Sequence, residues 1–330
     1  MKKSMNIVYA SNDRYARHLA VSLVSLLDHN KDVGDLRIFV LSLNLSEKVK
    51  ERLKKAAAGF GRELKFLELG DLKERFSYQV DTGGFDLSIM ARLFLGEVLP
   101  EEIERVLYLD CDTVVLSSLR KLWGTDLGDA VLGAVMEPTI YPAVKEKIGL
   151  LPSEPYYNSG VLLIDMVQWR AENVQQMLLD FYRSMDGKLF AGDQDTINGA
   201  LKGRIKSLSP RYNFFTNYRY YRYSHLTRLS PIYKVIGEGE LGAAKKRPAI
   251  LHFMGDERPW KEGNLNHYRK AYEYYLARTP WAKTPRDKGS RLYMAAYHLM
   301  DYATFLCPLM RDTISARFGM QVVNSRKKGS

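Results

Sequence analysis

Val106-Leu107-Tyr108-Leu109-Asp110-Cys111-Asp112-Thr113-Val114-Val115 is the stretch that decides how this chain folds. A short apolar run rich in valine and leucine predicts a buried strand, and here it runs into two carboxylates. Side chains alternate faces along an extended chain, so Asp110 and Asp112 should point to one side and Cys111 to the other. In open α/β sheets, ligands bind beyond the C-terminal ends of the strands. Two hard oxygen donors at that spacing suit Mg²⁺ or Mn²⁺, ions that commonly hold a substrate diphosphate. The plain alternative is a pair of solvated turn residues, and an Asp-x-Asp triplet alone does not choose between them.

Outward from this stretch, strand and helix patterns alternate. Met5 to Ala10 predicts a buried strand, and Tyr15 to His29 a helix with Leu19, Leu23, Leu26 and Leu27 on one face. Leu36 to Leu41 and Leu64 to Leu69 are the second and third strands, with a helix opening at Ser46 and stopped by Gly59-Phe60-Gly61 between them. A helix is expected from Ser88 to Leu99, stopped by Pro100, so the strand carrying the carboxylates comes fourth. Beyond it, Val131 to Met136 and Gly160 to Asp165 read as strands, Met166 to Met185 as one helix, Asp193 to Leu201 as a short helix, and Ala249 to Phe253 as a last strand. The breaker-rich stretches Glu137 to Pro155 and Ser207 to Arg247 read as loops. The expected class is α/β, a mostly parallel mixed sheet flanked by helices.

At 330 residues the chain can bury a full core, and no apolar run approaches the length of a spanning helix. The polar start Met-Lys-Lys-Ser-Met does not resemble a signal peptide, so cytoplasmic residence is expected. Two cysteines, Cys111 and Cys307, make no disulfide framework. The charge of +11 is uneven: from Lys261 to Ser330 there are 13 Lys and Arg against 5 Asp and Glu. Tyrosines, Trp281 and phenylalanines interleave those cations, a composition that fits an anionic membrane surface. It also fits a solvated helical appendage. No nucleic-acid-binding motif accompanies it, so nucleic acid is not expected as a partner. The composition shift near Trp260 to Asn266 suggests a main domain over 1–262 and an appendage over 263–330.

The strand-end carboxylates admit a rival chemistry. Asp-x-Asp-x-Val after an apolar strand also matches haloacid-dehalogenase-type phosphatases, in which Asp110 would attack phosphorus. That family carries its motif on the first strand, whereas three strands precede it here. The companions point elsewhere. The first strand empties into Ala10-Ser11-Asn12-Asp13-Arg14-Tyr15, a turn whose polar groups and ring can read and stack on a base. Further on stand Tyr157-Asn158-Ser159-Gly160, then Asp193-Gln194-Asp195, then Leu251-His252-Phe253-Met254-Gly255 and Arg258-Pro259-Trp260.

From Met5 to Trp260 this series of motifs resembles glycosyltransferase family 8, in particular bacterial α-galactosyl- and glucosyltransferases of lipopolysaccharide and lipooligosaccharide assembly. The resemblance implies a GT-A-type fold and a retaining hexosyltransferase that takes UDP-glucose or UDP-galactose. Asp110, Asp112 and His252 would ligate Mn²⁺, with Mg²⁺ as a substitute; one imidazole tilts the preference toward Mn²⁺. Ala10, Ser11, Asn12 and Tyr15 would hold the uracil side, with Tyr15 stacking. Arg92 and Asn158 would flank the donor sugar, while Cys111, Gly255 and Arg258 join the two carboxylates around the diphosphate. Asp193 would bond sugar hydroxyls, and Gln194 would lie opposite the leaving group. Three departures stand out. Asn12 replaces a frequent Asp, Arg258 a frequent Lys, and no basic residue stands near Gly84 where the family often has His. The acceptor would be a glycan or lipid-linked saccharide, reached from the inner membrane face through the C-terminal segment. A non-catalytic UDP-sugar-binding protein on the same fold is the alternative from another class. The aromatic run from Tyr212 to Tyr223 suggests either an acceptor platform or core packing.

Overall fold

The computed structural model describes residues 4–82, 86–255 and 258–307, together with 310 and 313. Among them, ten strands run in chain order as β1 (Met5–Ser11), β2 (Leu36–Ser42), β3 (Leu64–Glu68), β4 (Arg105–Leu109), β5 (Thr113–Val115), β6 (Leu132–Met136), β7 (Tyr157–Asp165), β8 (Ile205–Ser207), β9 (Phe214–Phe215) and β10 (Ile250–His252). Seven of them form one sheet in the order β3-β2-β1-β4-β7-β6-β8. The pairs β1/β2, β2/β3, β1/β4 and β6/β8 are parallel, while β7 runs antiparallel to both β4 and β6. The expected mostly parallel mixed sheet is what forms.

The chain builds outward from β1 to β2 and β3, then returns to lay β4 on the other side of β1. That reversal is a topological switch point, and the turns leaving β1 and β4 open side by side at it. Cys111 Sγ donates to Ala10 O at 3.1 Å, which ties the two turns together.

The apolar run Val106 to Val115 is divided between two sheets. β4 stops at Leu109, Asp110 to Asp112 make a turn, and Thr113 to Val115 leave as β5 in a small sheet ordered β5-β10-β9. β5 pairs antiparallel with β10, setting Thr113 opposite His252. The helix Ala16–His29 joins both sheets and is buried on nearly every side. Its polar groups are therefore bonded inward: Ser22 Oγ meets Tyr9 Oη at 3.1 Å and Thr113 Oγ1 at 2.8 Å, and Ser25 Oγ accepts from Val115 N.

Four local expectations are revised. The segment expected as a helix over Ser88 to Leu99 is a 3₁₀ coil Leu87–Phe94, opened by Asp86 accepting from Ser88 N, followed by one α-turn Leu95–Val98. Met166 to Met185 is two helices, Met166–Ala171 and Val174–Ser184, broken where Asn173 takes a left-handed φ of 53°. The stretch expected as a loop from Ser207 to Arg247 holds the helices Tyr223–Leu229 and Glu238–Lys246, and Glu137 to Pro155 holds Pro142–Lys147. The rings of Phe214, Phe215 and Tyr218 are fully buried, so that part of the aromatic run is core rather than an exposed platform.

The C-terminal segment begins as part of the main body. Tyr272, Tyr275 and Trp281 are buried against it, and Arg17 holds Pro285 O and Asp287 Oδ2, both at 2.9 Å. The last described helix, Arg291–Leu306, buries Met294 and sets Tyr302 against Tyr220, with ring centroids 5.6 Å apart. Its other side leaves Leu292, Leu299 and Leu306 exposed. Among the described residues no helix is long and apolar enough to cross a membrane.

Candidate active site

Three residues from two chain segments converge at the switch point. Asp110 and Asp112 come from the turn after β4, and His252 ends β10. His252 Nε2 lies 3.2 Å from Asp112 Oδ1 and 3.9 Å from Asp110 Oδ2, and one ligand atom from each residue falls within 4.8 Å of the others. Burial disfavours charge on both His252 and Asp112, but mutual attraction wins. His252 is raised above its ordinary value by Asp112 and Asp110, and Asp112 is held below its own by His252 and Arg258. The strand alternation anticipated from sequence is a turn in fact, yet the two carboxylates still converge and Cys111 still faces away toward Ala10. Burial pushes the Cys111 thiol up, so it stays protonated and packs rather than reacts.

Gly160 on β7 makes room for this cluster. A methyl group there would stand 2.8 Å from His252 Nδ1 and 2.9 Å from Asp110 Oδ2, closer than carbon packs. Gly160→Ala should therefore displace His252 or Asp110 and cost about 1–3 kcal/mol of stability, the usual penalty for overpacking. Urea unfolding together with a Mn²⁺ titration checks this. Unchanged values for both would show that the site relaxes freely.

Arg92, on the 3₁₀ coil, bridges the acidic pair and the helix Gly192–Ala200. It is 3% exposed, and its guanidinium reaches Asp110 Oδ1 at 2.7 Å and Asp193 Oδ2 at 3.0 Å while also donating to Ser159 O. Ser159 Oγ donates to the same Asp193 oxygen at 2.8 Å. Burial pushes the Asp193 carboxyl up to about 6 despite the opposing pull of Arg92. Gln194 follows on the helix Gly192–Ala200. Its Oε1 accepts from Ser159 N at 3.1 Å and Asn158 Nδ2 at 2.9 Å, and its Nε2 donates to Glu137 Oε2 and Tyr156 Oη, each at 3.1 Å.

On the other side of the switch point, Asn12 Oδ1 accepts from Tyr15 N at 3.1 Å and its Nδ2 faces both oxygens of Asp86 at 3.2 Å. Ser11 Oγ bonds Asn12 O, and the Tyr15 ring meets His18 edge-on at 5.8 Å. His18 stacks on Trp260 at 4.0 Å and is held neutral, its pKa lowered to about 3 chiefly by burial. Gly255 adopts a φ of 78°, open to glycine at little cost, and turns the chain so that Arg258 Nε donates to its carbonyl. Gly84, the family's frequent His position, lies outside the described residues.

Asp86, Glu137, Tyr156 and Asn213 were not singled out by sequence. Each takes its meaning from a partner distant in the chain; Asp86 and Asn12, for instance, are 74 residues apart. The one local signal among them is Asp86 two residues before Ser88, a capping position that marks a helix start and carries no hint of Asn12.

An open α/β sheet with an acidic pair at its switch point and an imidazole from a second sheet is the arrangement of a GT-A-type glycosyltransferase. The fold is similar to that of galactosyltransferase LgtC, solved in complex with donor and acceptor sugar analogs, at a TM-score of 0.69 and 26% identity, covering 84% of this chain and 96% of that one. The profile described as Glycosyl transferase family 8 matches residues 6–263, and the chain belongs to that family. General stress protein A of Bacillus subtilis is 29% identical over 280 residues, 84% of this chain and 94% of that protein. A lipopolysaccharide 1,2-glucosyltransferase of Escherichia coli is 24% identical over 292 residues, 87% and 82% of the two chains. Family membership sets aside the phosphatase alternative.

Proposed function

We propose that this enzyme is a retaining hexosyltransferase that moves glucose or galactose from a UDP-sugar to a hydroxyl of a glycan or lipid-linked saccharide, using Mn²⁺ or, less well, Mg²⁺. The observation that carries this is the Asp110, Asp112 and His252 cluster at the switch point, with its ligand atoms within 4.8 Å of one another. The donor set fits a divalent cation, since two carboxylates and one imidazole bring a ligand atom each within 4.8 Å of the others. When bound, such an ion supplies Lewis-acid stabilisation to the departing diphosphate.

The remaining work falls to the protein's own side chains. Arg258 adds a forked cation on the diphosphate side, and its charge already reaches Asp112. Ala10, Ser11, Asn12 and Tyr15 take the base, with Asp86 beside Asn12 as a further acceptor. Asp193, tethered to Arg92, takes donor hydroxyls. Gln194 is a poor nucleophile on two counts: it is an amide, and its Oε1 already accepts two hydrogen bonds. Retention then follows from attack on the same face as the leaving group, with the departing phosphate accepting the proton of the acceptor hydroxyl.

The test is a panel of UDP-sugars with and without Mn²⁺, read as released UDP, with product stereochemistry determined by NMR. Metal-dependent UDP release from UDP-glucose or UDP-galactose with an α-linked product is expected. Binding without turnover would instead support a sugar-nucleotide sensor, and an inverted product would rule out same-face attack.

The exposed leucines of Arg291–Leu306 and the basic residues around and beyond them support docking at an anionic membrane face, where each Lys or Arg adds up to ~1 kcal/mol. Because Pro285 and Asp287 are bonded to Arg17, a truncation should end after Gly289 to keep those two bonds. Full-length protein is expected to co-sediment with phosphatidylserine vesicles and the truncated chain to stay in solution. Equal binding of both chains, or equal binding to neutral lipid, would remove the membrane role.

A further inference from the structure

We propose that Asn213, itself held by Asn158, sets the tautomer of His252 and so turns the Nε2 atom into a metal ligand; this rests on the metal site proposed above. The direction of every bond follows from one backbone group that cannot reverse. Gly160 N donates to Asn158 Oδ1 at 2.9 Å, so that atom is the amide oxygen. Asn213 lies 2.8 Å from the same oxygen and must present its Nδ2 there. Its Oδ1 then faces His252 Nδ1 at 2.9 Å. A carbonyl oxygen only accepts, so Nδ1 carries the proton, and in the neutral ring the lone pair is on Nε2. That nitrogen faces Asp112 Oδ1 at 3.2 Å.

The relay is sealed from solvent, with Asn158 5%, Asn213 0% and His252 4% exposed. Asn158 Nδ2 is committed as well, to Glu137 Oε2 at 3.0 Å and Gln194 Oε1 at 2.9 Å. One side chain thereby orients Gln194 directly and His252 through Asn213. The fold explains the placement: Asn213 closes the 3₁₀ turn Pro210–Asn213 immediately before β9, whose Phe215 pairs in register with His252. Partners that fix the free nitrogen of a ligating histidine typically change metal affinity about 10–100-fold when removed. Asn213 is accordingly a positioning residue, acting through His252.

Two measurements test this on the full-length chain. Mn²⁺ binding is followed by electron paramagnetic resonance without donor or acceptor, in wild type, Asn213→Leu and Asn213→Asp. Wild type should bind, Asn213→Leu about 10–100-fold more weakly, and Asn213→Asp, which keeps an acceptor toward Nδ1, more tightly than Asn213→Leu. Asn213→Leu binding as well as wild type, or Asn213→Asp binding no better than Asn213→Leu, overturns the proposal. The second measurement needs no folded variant at position 213. Long-range ¹⁵N–¹H correlation of metal-free wild type at alkaline pH, assigned with His252→Gln, should show His252 protonated on Nδ1. A proton on Nε2 overturns the proposal whatever the metal data say. A wild type that binds no Mn²⁺ but shows the Nδ1 proton overturns the metal site, and the ligand role of Nε2 with it.

Discussion

Asp112→Asn is expected to lower Mn²⁺-dependent UDP release from a UDP-sugar by about 10³-fold, the scale of losing several kcal/mol of leaving-group stabilisation. The substitution is nearly isosteric, so packing around the turn should survive. It removes one of the two carboxylate charges at the switch point, one that its surroundings hold ionised: burial opposes its ionisation, but His252 and Arg258 outweigh burial. An amide is also a weaker ligand for a hard cation than a carboxylate. The loss should show mainly in the amount of Mn²⁺ needed and in kcat, with urea unfolding close to wild type. A variant that keeps a tenth of wild-type turnover at the same Mn²⁺ concentration would remove Asp112 from the metal set.

Arg92→Met is expected to destabilise the folded protein by about 3–5 kcal/mol, the cost of leaving a buried charge without its partner. Arg92 is 3% exposed and bridges two carboxylates, Asp110 and Asp193. Asp193 is already pushed up to about 6 with the guanidinium in place, so without it the carboxyl should be protonated at neutral pH. Arg92→Lys keeps the charge but loses the planar fork that reaches Asp110, Asp193 and Ser159 O together, and it should fall between wild type and Arg92→Met. Adding Asp193→Asn to Arg92→Met should recover at least ~1 kcal/mol, because the amide is buried neutral without having to take up a proton. Urea midpoints for the four proteins test the set. Equal midpoints for wild type and Arg92→Met would mean that solvent reaches the pair.

Much of the sheet was legible because its signals are local. Apolar runs of strand length bounded by breakers gave β1, β2, β3 and β6 within a residue or two of their observed ends. The proposed metal trio was legible in part: a strand ending in two carboxylates announces itself, whereas His252 acquired meaning only from the motifs around it. The errors have physical causes. Val106 to Val115 looks like one strand, yet the Asp110–Asp112 turn sends Thr113 to Val115 to pair with β10, more than 130 residues away. Asn173 carries no helix-breaking signature comparable to proline, and its left-handed φ of 53° appears only once the two helices pack. Tyr212 to Tyr223 could have faced sugar or core, because ring composition is the same in both cases. Burial of Phe214, Phe215 and Tyr218 settles those positions.

By itself, the sequence determined an α/β sheet with a carboxylate pair at a strand end, a histidine ending a later strand and an unevenly basic chain. Those properties follow from side-chain alternation, helical period and charge, which act over a few residues. The tertiary structure alone decided that β1 and β4 share a switch point, that Arg92 lies between Asp110 and Asp193, and that Asn158 and Asn213 orient His252. Hydrogen-bond direction and desolvation depend on which atoms meet inside the fold. Here those atoms come from residues far apart in the chain, 101 positions in the Ala10–Cys111 contact that joins the two turns.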